Sequence, residues 1–141
     1  MTAALRIDNV TVSYGAICAV RDAALTVAPG EAVAVIGSNG AGKSSLLRGV
    51  MNLASRTGRI TFQGQQLESL RPHVIRRAGI GYVPEGRELF PNLTVQEELT
   101  LGARMIPRAD RPQMLEQVFG LFPRLRERAK QVTRTLSGGE Q

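Results

Sequence analysis

One cysteine and one histidine are all that this 141-residue chain offers to thiol or imidazole chemistry. Cys18 cannot close an internal disulfide and has no Cys or His neighbour at metal-ligand spacing, so it reads as a buried or half-buried small hydrophobe. His73 lies on a polar stretch and reads as a surface residue. Aromatics are scarce, at 4%, and do not interleave with basic residues. That argues against a nucleic-acid surface, although the net charge is +6 and arginines gather at Arg76-Arg77 and at Arg124, Arg126 and Arg128. Apolar runs such as Ala32 to Ile36 fall far short of the ~20 residues a membrane helix needs. Asp8 sits where a secretory leader would need its apolar centre. These absences leave a soluble, cytoplasmic chain as the expectation, and 43% hydrophobic residues with 21% charged ones suffice for a folded core.

Patterned glycine is what the chain does have. Gly37-Ser38-Asn39-Gly40-Ala41-Gly42-Lys43-Ser44 matches the phosphate-binding pattern G-x-x-x-x-G-K-[ST]. It follows the strand-like run Ala32 to Ile36 and precedes a helical pattern in which Leu46, Leu47, Val50 and Met51 share a side. In such a loop, successive N–H groups and the helix N-terminus, including Ser45, form an anion cradle, and glycine lets backbone approach phosphate oxygens. Lys43 would reach the β- and γ-phosphates, and the Ser44 hydroxyl would take a place on magnesium.

Elsewhere, Leu5, Ile7, Val10 and Val12 nearly alternate, and Ala24 to Val27 forms a short run closed by Pro29-Gly30, so both read as strands. Gly58 to Phe62 reads as a strand turning at Gln63-Gly64, and Ile80 to Pro84 as a short strand ended by proline. Ala32 to Ile36, apolar at every position, is expected as a strand covered on both sides. Beyond these the texture turns helical. Thr94 with Glu97 is a capping-box signature, followed by Val95, Leu99, Leu101 and Met105. Met114, Leu115, Val118, Phe119 and Phe122 form a second stripe, expected to be core. The expected division is a nucleotide-binding α/β region over 1–91 and a helical subdomain over 92–141.

A second glycine-rich motif, Leu136-Ser137-Gly138-Gly139-Glu140, closes the chain before Gln141. Together the two motifs resemble the ATP-binding-cassette (ABC) family, and the resemblance covers the whole chain. It implies a P-loop NTPase domain of ABC type: α/β, a mixed sheet with N-terminal antiparallel strands, and a helical subdomain. It also implies that Tyr14 stacks on adenine. Ser137, Gly138, Gly139 and Glu140 would open a helix and present donors to the ATP held by a partner subunit. ATP and magnesium are the implied cofactors. The family continues, past the equivalent of Gln141, into an apolar strand ending in Asp-Glu and then a switch histidine. The chain therefore reads as C-terminally truncated, inactive in hydrolysis by itself, with one sheet edge exposed.

The segment from Val83 through Glu85-Gly86-Arg87 to Leu99 narrows the resemblance to the second ATPase subunit of bacterial branched-chain amino acid importers. Most cassettes carry glutamine at the position of Glu85; the glutamate followed by Gly-Arg is typical of that importer group. Lys43 and Glu85 are the catalytic candidates, with Glu85 and Ser44 on the metal and Arg87 able to offset the carboxylate's charge. The implied partners are a second ABC ATPase subunit (homo- or heterodimer), membrane permease subunits and, indirectly, a periplasmic or extracellular substrate-binding protein. The implied location is peripheral, on the cytoplasmic face of the inner membrane. Two alternatives stay open: the ATPase of another importer, such as one for urea or short amides, and a non-transport ABC protein acting on nucleic acid or ribosomes.

Overall fold

A computed structural model describes residues 3–86 and 88–141. The chain divides into two compact units, Met1–Glu85 and Gly86–Gln141. Arg87 lies outside the described residues, so its expected part beside Glu85 has no structural counterpart here.

In the first unit, strands β1 (Leu5–Tyr14), β2 (Ile17–Val27), β3 (Ser55–Phe62) and β4 (Gln65–Gln66) form an antiparallel sheet in the order β2-β1-β3-β4. Gly15, at φ +59°, turns β1 into β2, bringing Tyr14 opposite Ile17 and Leu5 opposite Val27. The alternation of β1 slips between Ile7 and Val10, and the backbone shows why. Asn9 adopts φ +49°, and against β3 the register passes from Asp8↔Arg59 to Thr11↔Thr57, so β1 carries an extra residue there. The bulge returns Val10 and Val12 to the face that Ile7 occupies, and all three are buried. Gly58, at φ +83°, passes so close that a Cβ there would lie 2.3 Å from the Asn9 carbonyl oxygen.

Helix α1 (Lys43–Val50) lays Leu46, Val50 and the following Met51 against that face. Ile60 of β3, Leu67 and Ile75 of helix α2 (Pro72–Arg77) complete the core. A polar knot binds its rim. Asn52 donates to the carbonyls of Leu67 and Leu70 at 2.6 and 2.8 Å, Arg56 Nε donates to Gly49 O and Asn52 Oδ1, and Glu68 accepts from the Ile60 amide at 2.7 Å. Burial pulls the Arg56 pKa down, with Glu68 opposing.

Three expectations need correcting in this unit. Ala32–Ile36 and Ile80–Pro84 are irregular and join no ladder, and Ile36 and Val83 are 91% and 89% exposed. The described strands form the antiparallel sheet of the expected α/β fold. A continuous apolar run states a demand for burial, but a strand also needs a neighbouring backbone, and no described segment pairs with either run. Cys18 is exposed, not buried, because it stands next to the β1–β2 turn opposite Ser13; its thiol donates to the Val20 carbonyl.

The second unit is built from helices α3 (Val95–Gly102), α4 (Arg111–Leu121) and α5 (Pro123–Glu127), with 3-10 turns at Ala103–Met105 and Thr133–Thr135. The capping box at Thr94 forms: the Glu97 amide donates to Thr94 Oγ1, and the Glu97 carboxylate accepts from the Thr94 amide at 2.8 Å. The Thr94 amide and hydroxyl, both donating to that carboxylate, hold it below its ordinary pKa. Thr133, 2% exposed, donates its hydroxyl to Phe90 O at 2.7 Å and its amide to Leu93 O, tying the C-terminal segment to the entry of α3. The stripe on α4 is a fourth correction: none of its residues is fully buried, and Phe122 is 56% exposed. Only Val95, Ala103 and Leu136 are buried apolar residues among those described in this unit, as expected of a short segment with little interior.

Candidate functional site

The phosphate loop occupies residues 37–44 and runs straight into α1. Gly42 is the N-cap, at φ +92°, and a Cβ on it would meet the Ala19 carbonyl oxygen at 2.4 Å and Val20 Cγ2 at 2.8 Å. The loop is thus pressed onto β2 at a point only glycine can occupy. The first helical bond runs from the Leu46 amide to Gly42 O at 2.8 Å, so the amides of Lys43, Ser44 and Ser45 precede the helical ladder. No side chain caps them and no acid stands in the first turn. These donors are free to receive an anion, with the helix dipole behind them. Lys43 Nζ rests on the carbonyls of Gly37 and Ser38 at 2.9 and 2.8 Å, neutral partners that a phosphate oxygen can replace. The Ala41 amide donates to Ser38 O and closes the loop's own turn.

These groups face a cavity of about 620 Å³. Its wall joins Asn39, Gly40, Gly42, Lys43, Ser44 and Ser45 to Glu85, with Val33, Val35, Leu47, Tyr82 and Val83 as the apolar part. Glu85 shares that cavity with the glycine loop, on an irregular segment and not at the end of a strand. Ser44 hydroxyl and Glu85 carboxylate on one wall are a hard-oxygen pair suited to magnesium, which takes few protein ligands and completes its shell with phosphate and water. No group of three or more His, Cys, Asp or Glu side chains that could hold a metal exists among the described residues. Gly37 and Ser38 serve through their carbonyls and do not line the cavity. Tyr14 does not line it either; it ends the inner strand β1 and is 41% exposed. Tyr82 and the valines were missed as wall residues, since the same apolar letters signal core and cavity lining alike.

The glycine-rich motif at the end of the second unit forms one helical turn, with the Glu140 and Gln141 amides donating to Ser137 O at 3.0 and 3.2 Å. Gly138 and Gly139 are exposed. Ser137 is not open in the way α1 is: its amide and hydroxyl both donate to Glu140 Oε2, at 3.0 and 2.7 Å. Those bonds, assisted by Arg128, hold the Glu140 carboxyl below its ordinary pKa. His73 is exposed, as expected, and no helix is long and apolar enough to cross a membrane among the described residues.

Comparison with known proteins agrees with this geometry. Residues 20–141 match the family model described as ABC transporter. The chain is 42% identical over 138 residues to the high-affinity branched-chain amino acid transport ATP-binding protein BraG of Pseudomonas aeruginosa, covering 97% of this chain and 59% of that protein. It is 38% identical over 109 residues to the probable branched-chain amino acid transport ATP-binding protein LivF of Archaeoglobus fulgidus, covering 77% of this chain and 46% of the relative. Among solved structures, an ATP-binding subunit of an ABC transporter superposes with a TM-score of 0.83 at 31% identity, over 98% of this chain and 57% of that one. The chain spans only about half to three-fifths of the length of these relatives.

Proposed function

We propose that this chain, which belongs to the ABC transporter family, is the nucleotide-engaging part of an ATP-hydrolysing subunit that energises import of branched-chain amino acids. The observation that carries the ATP reading is the uncapped start of α1, whose three leading amides and Lys43 face the same cavity as Glu85. The cargo reading rests on the similarity to BraG and LivF, whose names state branched-chain amino acid transport. Within the site, residues 37–45 hold the phosphates, Lys43 supplies the side-chain cation, and Ser44 with Glu85 flanks magnesium. Magnesium would neutralise charge on the phosphates. Tyr14 is the candidate for the adenine ring. Ser137, Gly138 and Gly139 are the candidates for the phosphates of a second ATPase subunit's nucleotide. The subunit would work peripherally, at the cytoplasmic face, on permease subunits fed by a substrate-binding protein.

Lys43→Ala in the intact protein should weaken ATP binding roughly 10- to 100-fold, the worth of a hydrogen bond to a charged group, while thermal unfolding stays unchanged. Fluorescent-nucleotide titration reads it, and unaltered affinity would remove the phosphate-loop assignment. For the cargo, ATPase activity reconstituted with the neighbouring permease should rise with leucine-loaded binding protein. Stimulation by urea or short amides instead would redirect the cargo and leave the ATP site intact. Glu85→Gln should preserve ATP affinity but shift the magnesium concentration for half-maximal hydrolysis. Superimposable magnesium curves would make Glu85 a solvated loop acid.

A further inference from the structure

The outer face of the antiparallel sheet carries charges that do not cancel one another. Alternation along β1 and β3 turns Ile7 and Ile60 to the core and puts Arg6, Asp8 and Arg59 on the opposite face, where Asp8 stands across from Arg59. A cross-strand ion pair is the expected outcome. Instead Arg6 Nε takes both Asp8 oxygens at 2.9 Å, and the Arg59 guanidinium has no hydrogen bond or ion pair among the described residues. Glu68, after β4, accepts from the Ile60 amide through Oε1, and its Oε2 accepts nothing among the described residues. Arg59 and Glu68 share with Arg6, Asp8, Asn9 and Gln66 the wall of an open cavity of about 620 Å³, which has no residue in common with the nucleotide cavity.

We propose that this cavity binds a small zwitterion, the head group of an α-amino acid, with its carboxylate on Arg59 and its ammonium on Glu68. The site is independent of the nucleotide reading. The charges on the wall select the ligand class. A phosphate or a dicarboxylate could use the guanidinium fork but would bring its charge against Asp8 and Glu68, and a simple amine could use Glu68 but would face Arg59 and Arg6. A molecule holding both charges a few bonds apart meets each with its opposite and forms charge-assisted hydrogen bonds at both ends. The side-chain carbonyls of Asn9 and Gln66 can accept the ammonium hydrogens that Glu68 does not take. Arg56 also acts on Glu68, but it spends Nε on Gly49 O and Asn52 Oδ1 and is no part of the wall, so the Oε2 lone pairs stay open. Gly58 adds no side chain, and no apolar side chain lines the cavity among the described residues. The site therefore reads the head group and not the amino acid's side chain.

The test follows the backbone amide signals of the isotope-labelled intact protein by NMR during titration with glycine. The signals of Arg59, Gln66 and Glu68 should shift and saturate with a Kd of roughly 1 mM, the scale of two charge-assisted contacts at an exposed site. Acetate and methylammonium each carry one half of the ligand and should bind at least about tenfold more weakly, whereas leucine should bind within about threefold of glycine because its side chain has nothing to contact. Arg59→Gln and Glu68→Gln should each weaken glycine binding about tenfold, with ATP affinity at the wild-type value. Glutamine at 68 keeps an oxygen for the Ile60 amide, so that variant tests the charge and not the fold. Signals that stay in place up to roughly 30 mM glycine overturn the proposal. So does acetate or inorganic phosphate saturating the same signals as tightly as glycine, which would make this an anion site. Wild-type glycine affinity in both variants would equally remove Arg59 and Glu68 from the site and sink the idea.

Discussion

Helix α1 and helix α3 are both eight residues long, and their first turns are built oppositely. At α3 the side chains close the turn on itself: Thr94 caps the Glu97 amide, and the Glu97 carboxylate takes the Thr94 amide and hydroxyl. At α1 the cap is Gly42, which has no side chain to offer, and the next residues are Lys43, Ser44 and Ser45, with no acid among them. A closed start stabilises its own helix, whereas an open start leaves donors and dipole uncommitted for something else to satisfy. The chain places the open start on the cavity and the closed one in the helical unit. Stability and binding draw on the same amides, so a helix start that binds anions tightly gives up its own cap.

The most damaging way to erase that difference is to give α1 the acid that α3 has. Ser45 stands at the third helical position, as Glu97 does in α3, so Ser45→Glu should cut ATP affinity at least about tenfold, by occupying or repelling at the amides that phosphate needs. Its thermal stability should hold or rise, and nucleotide titration beside a melting curve reads both. Unchanged affinity would show that those amides are not the phosphate site. A smaller effect comes from opening the closed start. Thr94→Ala should lower stability by about 1 kcal/mol, read by urea unfolding, with ATP affinity unchanged.

The smallest effect is electrostatic. Because the folded-state pKa of Glu97 lies below its unfolded value, its carboxylate stabilises the start of α3 at neutral pH, and the contribution disappears as pH falls through the folded pKa, in the acid range below the ordinary glutamate value. The exchange protection of α3 amides, relative to the unfolded chain at the same pH, should therefore fall more on acidification in the wild type than in Glu97→Gln. The start of α1, with no acid in its first turn, should show no such local dependence. Parallel acid profiles for the two helices would undo the distinction.

How far these features could be read beforehand depends on how local they are. The Thr94–Glu97 box, the Gln63-Gly64 turn and the glycine loop leading into α1 all involve residues a few positions apart, and each forms as its letters indicate. The failures share the opposite property. Ala32–Ile36 and Ile80–Pro84 have strand-like letters, but a ladder needs a partner that no local pattern names. Cys18 has an apolar character that its place beside a turn overrides, and the α4 stripe has the right period with too little interior to bury it. The resemblance assigns Tyr14 to the adenine and Glu85 to the metal; the cavity wall includes Glu85 and not Tyr14.

Short-range order in this protein follows from residue type and spacing: where the helices start, and which glycine loop leads into an uncapped helix headed by Lys43. These are set by bonds spanning three or four residues, whose geometry any chain with those letters shares. The pressing of Gly42 onto Ala19, the bulge at Asn9 that keeps Val10 inward, the placing of Glu85 on the same cavity as Ser44 and the hold of Arg128 on Glu140 were decided in three dimensions. Each joins segments whose approach depends on how strands register and segments pack within a unit, and a single sequence carries that information only in the sum of its contacts.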